Sequence, residues 1–214
     1  MTKKIESLLK LYDSKKNEIK GRIQDFRKIL EKPEEKIFSE LCFCICTPQS
    51  KAEVCERAIS KLEENKRLFS GDEEQIRPFL NLVRFPENKT KNIIKARKFF
   101  TKDGKLKIKE TVRSFKDLQE LRDWLAYNIR GFGYKESSHF LRNIGLGEDL
   151  AILDRHILKN LMEYEVIDKI PKSLTRKKYL EIEQRMKKFS KKIGIPLAEL
   201  DLLLWFKETG KIVK

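Results

Sequence analysis

The sequence has few of the residues that bind metal ions. Its 214 residues include four cysteines and two histidines. The cysteines, Cys42, Cys44, Cys46 and Cys55, are far from both histidines and lack the spacing of a zinc knuckle. Small apolar side chains in residues 41–46 predict a buried helix instead. We therefore expect no catalytic metal and no organic cofactor.

Long hydrophobic runs are also missing. The chain contains no apolar stretch of about 18 residues, and it does not start with a charged segment followed by an apolar one. This pattern predicts neither a membrane span nor a secretory signal. We expect an intracellular protein that does not bind membranes.

Acidic residues are fewer than basic ones. The chain has 33 Asp and Glu against 48 Lys and Arg, which gives a formal net charge of +15 and a pI near 9.6. This excess predicts a polyanionic partner, most often a nucleic acid. Charge alone leaves acidic membranes, acidic proteins and RNA open.

No stretch shows the sustained alternation that is typical of a β-strand, and helical spacing dominates. The pattern predicts a long amphipathic helix or two over residues 4–31 and a buried helix over residues 35–46. That helix stops at Thr47 and Pro48, because proline cannot continue the hydrogen-bond ladder. Ser50 and Glu53 predict a capping box for the next helix. The resulting corner exposes Gln49.

Residues 128–135 predict a tight hairpin between two helices. Gly131 and Gly133 supply the turn, because glycine reaches positive φ without strain and lets another backbone, such as a phosphodiester, approach closely. The amides of Gly131, Gly133 and Tyr134 would point outward at the positive end of the second helix. This arrangement favours an anion such as a DNA phosphate.

Lys135 occupies an unusual position in the first turn of that second helix. A cation there meets the unfavourable end of the helix dipole, at a cost of a few tenths of a kcal/mol. Lys135 is therefore either one of many surface lysines or a lysine kept for contact or chemistry.

Asp154 ends an apolar run over residues 150–153 and opens a further helix. An aspartate at this place is an ordinary N-cap. The structural role and a functional role do not exclude each other.

This spaced set of hairpin, Lys135 and Asp154 resembles the helix-hairpin-helix superfamily of DNA base-excision glycosylases. In bifunctional members a lysine follows the second hairpin glycine by two residues, and an aspartate opens the next long helix. In relatives a histidine two residues after the aspartate contacts DNA phosphate, and His156 stands at that position here. The resemblance implies an all-α fold of two helical subdomains, residues 33–145 ending in the hairpin and residues 1–32 plus 146–214, with the active site in the cleft between them.

The short layout is similar to the archaeal-type 8-oxoguanine DNA glycosylase/AP lyases of that superfamily. This likeness implies excision of 8-oxoguanine from duplex DNA through a Schiff base on Lys135, assisted by Asp154, and strand nicking by β-elimination. The iron–sulfur branch is not expected, because four spaced cysteines after the aspartate helix are missing.

The same likeness implies further DNA contacts. Gln49 would insert its amide into the duplex near the orphaned base, although a polar turn residue explains it equally well. The base pocket would include Trp205, Phe206 and Lys214 near the carboxyl terminus, where either aromatic side chain is alternatively part of the core. Lys89 and Lys91 are candidate phosphate contacts, or members of a solvated turn.

The resemblance also implies the surroundings of the reaction. We expect a monomer that binds damaged double-stranded DNA in a prokaryotic cytoplasm, associated with the nucleoid. A structural monovalent cation would bind the hairpin carbonyls. Two alternatives stay open: a glycosylase for another damaged base, and a non-catalytic helix-hairpin-helix DNA-binding protein, which would need neither Lys135 nor Asp154.

Overall fold

The computed structural model describes residues 3–212, and this part of the chain is almost entirely helical. The helices are α1 Lys3–Arg27, α2 Glu34–Cys46, α3 Ala52–Glu64, α4 Arg67–Ser70, α5 Glu73–Ile76, α6 Pro86–Phe100, α7 Ile108–Arg113, α8 Leu118–Asn128, α9 Tyr134–Asn143, α10 Arg155–Glu163, α11 Arg176–Ile193 and α12 Leu197–Thr209. Short 3₁₀ helices cover Ile29–Glu31 and Arg77–Leu80. The predicted all-α class is confirmed.

A very small β-hairpin interrupts the helices. Strands β1 (Thr101–Lys102) and β2 (Lys105–Leu106) pair antiparallel on either side of the Asp103–Gly104 turn. Both turn residues have positive φ, 50° and 71°, as a two-residue hairpin turn of this kind requires. Strands of two residues are too short to leave a period in the sequence, so the pattern did not reveal them.

Two hydrophobic clusters divide the interior. The first is built on α2, α3, α6, α8 and α9, from Ile37 to Leu150. The second joins α1 to α10, α11 and α12 and holds Ile5 to Phe26 together with Ala151 to Leu204. The chain therefore starts in the second cluster, passes through the first and returns to the second. Helix α1 packs along α12, which completes the second cluster. The predicted subdomain limits, 33–145 and 1–32 plus 146–214, stay a prediction with which these clusters are consistent.

A buried ion pair joins the two clusters. Arg122 on α8 is fully buried and donates to Glu183 on α11 through both terminal nitrogens, at 2.6 and 3.1 Å. Glu183 also accepts the backbone amide of Ala151 at 2.9 Å. The two charges therefore fix the start of the segment that leads to Asp154.

The described helices contain none that could span a membrane. One local prediction is wrong: Ser50 does not cap α3, whose N-cap is Lys51 with no side-chain hydrogen bond. The Ser50 hydroxyl instead accepts the backbone amide of Arg84, in the loop that precedes α6, at 3.0 Å.

Candidate active site

The hairpin has the predicted turn, with one difference between its glycines. Gly131 has φ +93°, and a Cβ there would lie 2.6 Å from Nδ2 of Asn92 on α6. Only glycine fits this conformation without strain. Gly133 has φ −124°, an extended conformation that does not require glycine, so its expected positive φ is wrong.

The hairpin amides also differ from one another. Gly133 donates to Oε2 of Glu136 at 3.1 Å and forms a capping box with it. The amide of Gly133 is therefore occupied within the protein, contrary to the prediction that it faces solvent. The amides of Gly131 and Tyr134 donate to no group within residues 3–212. The Tyr134 ring packs 5.4 Å from that of Tyr179 and fixes the start of α9 against α11.

Lys135 lies in the first turn of α9, at the edge of a cleft. Its side chain is 23% exposed, and Nζ lies 2.9 Å from Oε1 of Glu136, whose side chain is 12% exposed. One carboxylate thus contacts both the lysine and the hairpin amide. Lys135 is neither a freely solvated surface lysine nor a fully buried one.

Asp154 is the N-cap of α10 and lines the same cleft. Its Oδ1 accepts the backbone amide of Ile157 at 2.8 Å, so the predicted cap is confirmed. Burial raises the pKa of this carboxyl above its ordinary value, while the Ile157 amide, His156 and Lys135 act in the opposite direction. Asp154 therefore lies within the electrostatic influence of Lys135.

The cleft runs between the two clusters and has a volume of about 780 Å³. Its walls carry side chains of the α2–α3 corner, α9, the start of α10 and α12. The charged and polar ones include Gln49, Lys51, Glu53, Arg84, Lys135, Glu136, His139, Arg142, Asp154, Arg155, His156, Asp201 and Lys211. The cleft therefore brings together Lys135, Asp154 and Gln49, although Gln49 and Asp154 are more than 100 residues apart in the sequence.

Gln49 stands exposed at the tip of the corner, as predicted, with a left-handed φ of 57°. The corner is held by Lys89, whose Nζ donates to the carbonyls of Cys46 and Pro48 at 2.5 and 2.8 Å and to the Ser50 hydroxyl at 3.0 Å. Lys89 is 5% exposed, and burial lowers its pKa. The Lys89 ammonium is thus used inside the protein, so its burial argues against the phosphate contact, which stays a prediction.

His156 and Trp205 form one wall of the cleft. Their rings meet edge to face with centroids 5.1 Å apart, and Nδ1 of His156 lies 3.8 Å from Glu208. The Trp205 indole nitrogen is buried and donates to no group in the residues described. Trp205 is thus a cleft residue, and the phosphate contact of His156 stays a prediction.

The other candidates lie elsewhere. Phe206 does not line the cleft, because its ring faces α1, where Lys15 Nζ lies 4.7 Å from the ring centroid. This placement argues against a base-pocket role for Phe206, which stays a prediction. Lys91 is exposed on α6 and stays a candidate for phosphate. Lys214 is outside the described residues, and its predicted role is untested.

Several charged residues of the cleft were not among the candidates from sequence, and three of them, Glu136, Arg142 and Asp201, form ion pairs at its wall. Glu136 follows Gly133 at capping-box spacing, a signal that could have revealed it. Arg142 lies two turns after Lys135 on the same face of α9 and is 3% exposed, and its guanidinium is 3.6 Å from Asp201. Burial raises the pKa of Asp201 to about 7, against the opposite effect of Arg142. Asp201 precedes Trp205 by one helical turn, which places both on one face of α12.

The described part of the chain holds no group of three or more His, Cys, Asp and Glu side chains arranged to bind a metal ion. All four cysteines are buried, and none of them forms a disulfide. Burial raises the pKa of Cys55 to about 11, so this thiol stays neutral near neutral pH. The cysteines are core residues, as the small apolar side chains of residues 41–46 predicted.

Comparison with known proteins gives one consistent result. Residues 19–195 match the helix-hairpin-helix family described as 8-oxoguanine DNA glycosylase. The chain is 46% identical to an 8-oxoguanine DNA glycosylase/AP lyase of Fusobacterium nucleatum, covering 96% of this chain and 95% of that protein. It is 42% identical to one of Methanocaldococcus jannaschii, over 100% of this chain and 99% of the relative.

Solved structures agree with the sequence relatives. The Methanocaldococcus jannaschii 8-oxoguanine glycosylase/lyase in complex with a 15mer DNA containing 8-oxoguanine superimposes with a TM-score of 0.90 at 39% identity, over 100% of both chains. The 8-oxoguanine DNA glycosylase of Thermotoga maritima gives 0.87 at 32% identity, over 98% of both. The fold is thus that of a helix-hairpin-helix glycosylase with a cleft between two helical subdomains, and the chain belongs to the 8-oxoguanine DNA glycosylase family.

Proposed function

We propose that this chain excises 8-oxoguanine from duplex DNA through a lysine Schiff base and then nicks the strand by β-elimination. The proposal rests on one observation: Lys135 and Asp154 line the same cleft, in a chain that belongs to this family. Relatives along the full length of the chain carry the name 8-oxoguanine DNA glycosylase/AP lyase. DNA is therefore the partner of the site.

The reaction needs a cleft because a duplex hides the glycosidic carbon within the base stack. The enzyme must rotate the nucleotide out of the stack, at a cost of a few kcal/mol. A cleft of about 780 Å³ is of the size that ligand pockets usually have. Gln49 stands at its rim, where its amide would fill the space that the rotated base leaves.

Lys135 would act as the nucleophile. As a neutral amine, Nζ attacks the deoxyribose C1′, and the bond between C1′ and the base breaks. The product on the lysine opens to a Schiff base. β-Elimination of the 3′ phosphate then cleaves the strand.

Asp154 would stabilise the positive charge that develops on the sugar as the base departs. Its position at the start of α10 is fixed by the Ile157 amide, so the carboxylate needs no reorganisation during the reaction. An anionic carboxylate is the form that this role requires. The raised pKa of Asp154 therefore sets a lower limit to the pH range in which the enzyme works well.

The phosphate backbone would be held by the hairpin and its surroundings. The amides of Gly131 and Tyr134 are available, Lys91 is exposed and His156 lines the cleft. The carbonyls of Arg130, Gly131 and Phe132 accept no hydrogen bond within residues 3–212, which suits the monovalent cation that the resemblance implies. Such a cation would orient the hairpin toward phosphate and take no part in bond cleavage.

Side chains of α12 that line the cleft would contact the departing base. Trp205 supplies an aromatic face and an indole N–H that has no acceptor among the described residues. Lys214 would complete this pocket from the carboxyl terminus. We further propose that the enzyme acts as a monomer in the prokaryotic cytoplasm, at the nucleoid, where its DNA substrate lies.

The test uses duplex DNA with 8-oxoguanine opposite cytosine. The protein should release the base, nick the strand and form a covalent adduct in the presence of borohydride, which reduces a Schiff base. Affinity should fall steeply with salt, because bound cations are released from the phosphates. An adduct with other damaged bases only would change the substrate and keep the mechanism. No adduct with any lesion would favour a non-catalytic DNA-binding protein.

A further inference from the structure

Lys135 must lose a proton before its nitrogen can attack, and one carboxylate contacts that nitrogen. Oε1 of Glu136 lies 2.9 Å from Nζ, and both side chains are largely shielded from solvent. Within residues 3–212, Lys135 forms no ion pair with any other carboxylate. The structure therefore offers a proton acceptor at hydrogen-bond distance.

Asp154 is engaged differently. Its Oδ1 accepts the Ile157 amide at 2.8 Å, and no ion pair joins it to Lys135 in the described part of the chain. Asp154 influences Lys135 as a nearby charge. Its proposed role, to stabilise positive charge on the sugar, requires it to stay anionic and so conflicts with holding the lysine proton.

We propose that Glu136 takes the proton of Lys135 during base excision, an inference that rests on the proposed function of Lys135. When the duplex covers the cleft, water leaves and both charges of the pair lose solvation. Transfer of the proton from Nζ to Oε1 replaces the ion pair by a neutral amine and a neutral acid. Loss of solvation favours these neutral forms.

The neutral amine then displaces the base at C1′. The lone pair of Nζ forms the bond to C1′, and the bond between C1′ and the base breaks with its electron pair on the base. The proton held by Glu136 passes to the departing base. Glu136 returns to its anionic form beside the cationic nitrogen that is now bonded to the sugar.

Groups from several elements face the pair. From α6, the buried ammonium of Lys89 interacts with both Lys135 and Glu136. It favours the neutral amine of Lys135 and the anionic form of Glu136, so the loss of solvation decides the transfer. From α3, the Cys55 thiol is neutral near neutral pH. The rest of the cleft around the pair carries His139 and Arg142 of α9, Asp154, Arg155 and His156 at the start of α10, and Asp201 of α12.

Glu136 also has a structural duty, which the experiment must separate from proton transfer. Its Oε2 accepts the Gly133 amide in the capping box. A glutamine at this position keeps the capping box, since Glu and Gln both serve there, but it cannot take up a proton. Glu136→Gln therefore removes the proposed role and retains the hairpin, whereas Glu136→Ala removes both.

The experiment measures single-turnover release of 8-oxoguanine from duplex DNA between about pH 6 and about pH 9, the range in which general bases act. The wild type, Glu136→Gln and Glu136→Ala are compared with Glu110→Gln, which removes an exposed partner of Lys102 outside the cleft. Near neutral pH, Glu136→Gln should be slower by about 100-fold. Its rate should rise with pH as solution base replaces the carboxylate, so the difference from the wild type narrows. Glu110→Gln should match the wild type, and formate should partly restore Glu136→Ala.

Two results would overturn the inference. A Glu136→Gln rate equal to that of the wild type at every pH would leave Glu136 only its capping duty. A faster rate near neutral pH would mean that the carboxylate restrains the ammonium. Failure of the proposed function looks different, because the wild type itself would then release no base and trap no borohydride adduct.

Discussion

Two ion pairs of similar chemistry have different surroundings in this protein. Arg122 and Glu183 are almost completely buried and joined by two hydrogen bonds, and Glu183 accepts a third from Ala151. Lys135 and Glu136 meet through one short contact at the edge of the cleft and keep part of their surface exposed. The first pair joins two helical clusters, and the second faces the space where substrate would bind.

The surroundings of an ion pair, more than its presence, indicate its role. Arg122 is planar, always charged and bound at two points, which suits a permanent connection. A lysine is a compact charge that can lose its proton when its solvation changes. Substitutions at each pair should therefore separate a structural role from a reactive one.

Lys135→Gln should abolish both base release and strand nicking, because no amine remains to attack C1′ and form the Schiff base. Binding to the duplex should persist, since the cleft and the hairpin are retained. Single-turnover rates and affinity on the same 8-oxoguanine duplex check both points. Lys102→Gln, which removes an exposed ion pair, is the matched control. A Lys135→Gln protein that still releases the base and nicks the strand would contradict the assignment of Lys135 as the nucleophile.

Arg122→Met should lower the free energy of unfolding by about 3–5 kcal/mol, because buried Glu183 would lose its hydrogen-bonded partner and keep only the Lys187 ammonium, 3.7 Å away. Denaturant unfolding measures the loss. Adding Glu183→Gln removes the buried charge and keeps an oxygen for the Ala151 amide, so the double variant should recover much of the stability. Equal losses in the single and double variants would contradict the role of the pair.

Asp154→Asn should slow base release by about 100-fold, because the carboxylate no longer stabilises charge on the sugar. Asparagine is as good an N-cap as aspartate, so thermal stability should change little. Rates and circular dichroism on the same preparation test the two statements together. An unfolded Asp154→Asn protein would leave Asp154 with its capping role alone.

Lys89→Met should slow base release by about 10-fold, because the loss of three hydrogen bonds loosens the corner that presents Gln49. The salt dependence of DNA affinity should not change, since the Lys89 ammonium is internal. Lys91→Met is the comparison: if Lys91 contacts phosphate, its loss should reduce the salt slope by about one. A reduced slope for Lys89→Met would restore the phosphate role that burial argues against.

Much of the fold could be predicted from the sequence because helical periodicity and proline breaks are local signals. The helix predicted over residues 35–46 matches α2, which begins one residue earlier. Asp154 was identified as a cap from the apolar run before it. The hairpin turn was recognised because Gly131 needs a conformation that other residues avoid. The resemblance of this spaced set to a family then supplied the chemistry.

The sequence did not reveal contacts between distant segments, whereas the capping box that occupies the Gly133 amide was a local signal that was missed. Nothing near Lys89 in the sequence shows that its ammonium reaches the carbonyls of Cys46 and Pro48, about forty residues earlier. Phe206 and Trp205 are neighbours in sequence, yet the helix turns one toward α1 and the other toward the cleft. Position along a helix face relative to partners decides such roles, and composition does not contain that information.

The residue that carries the covalent adduct can be identified directly. Protein trapped with borohydride on an 8-oxoguanine duplex would be digested, and the modified peptide located by mass spectrometry. We expect a single modified residue, Lys135, and no modified peptide without the lesion. An adduct on another cleft lysine, such as Lys51 or Lys211, or on the amino terminus would contradict this expectation.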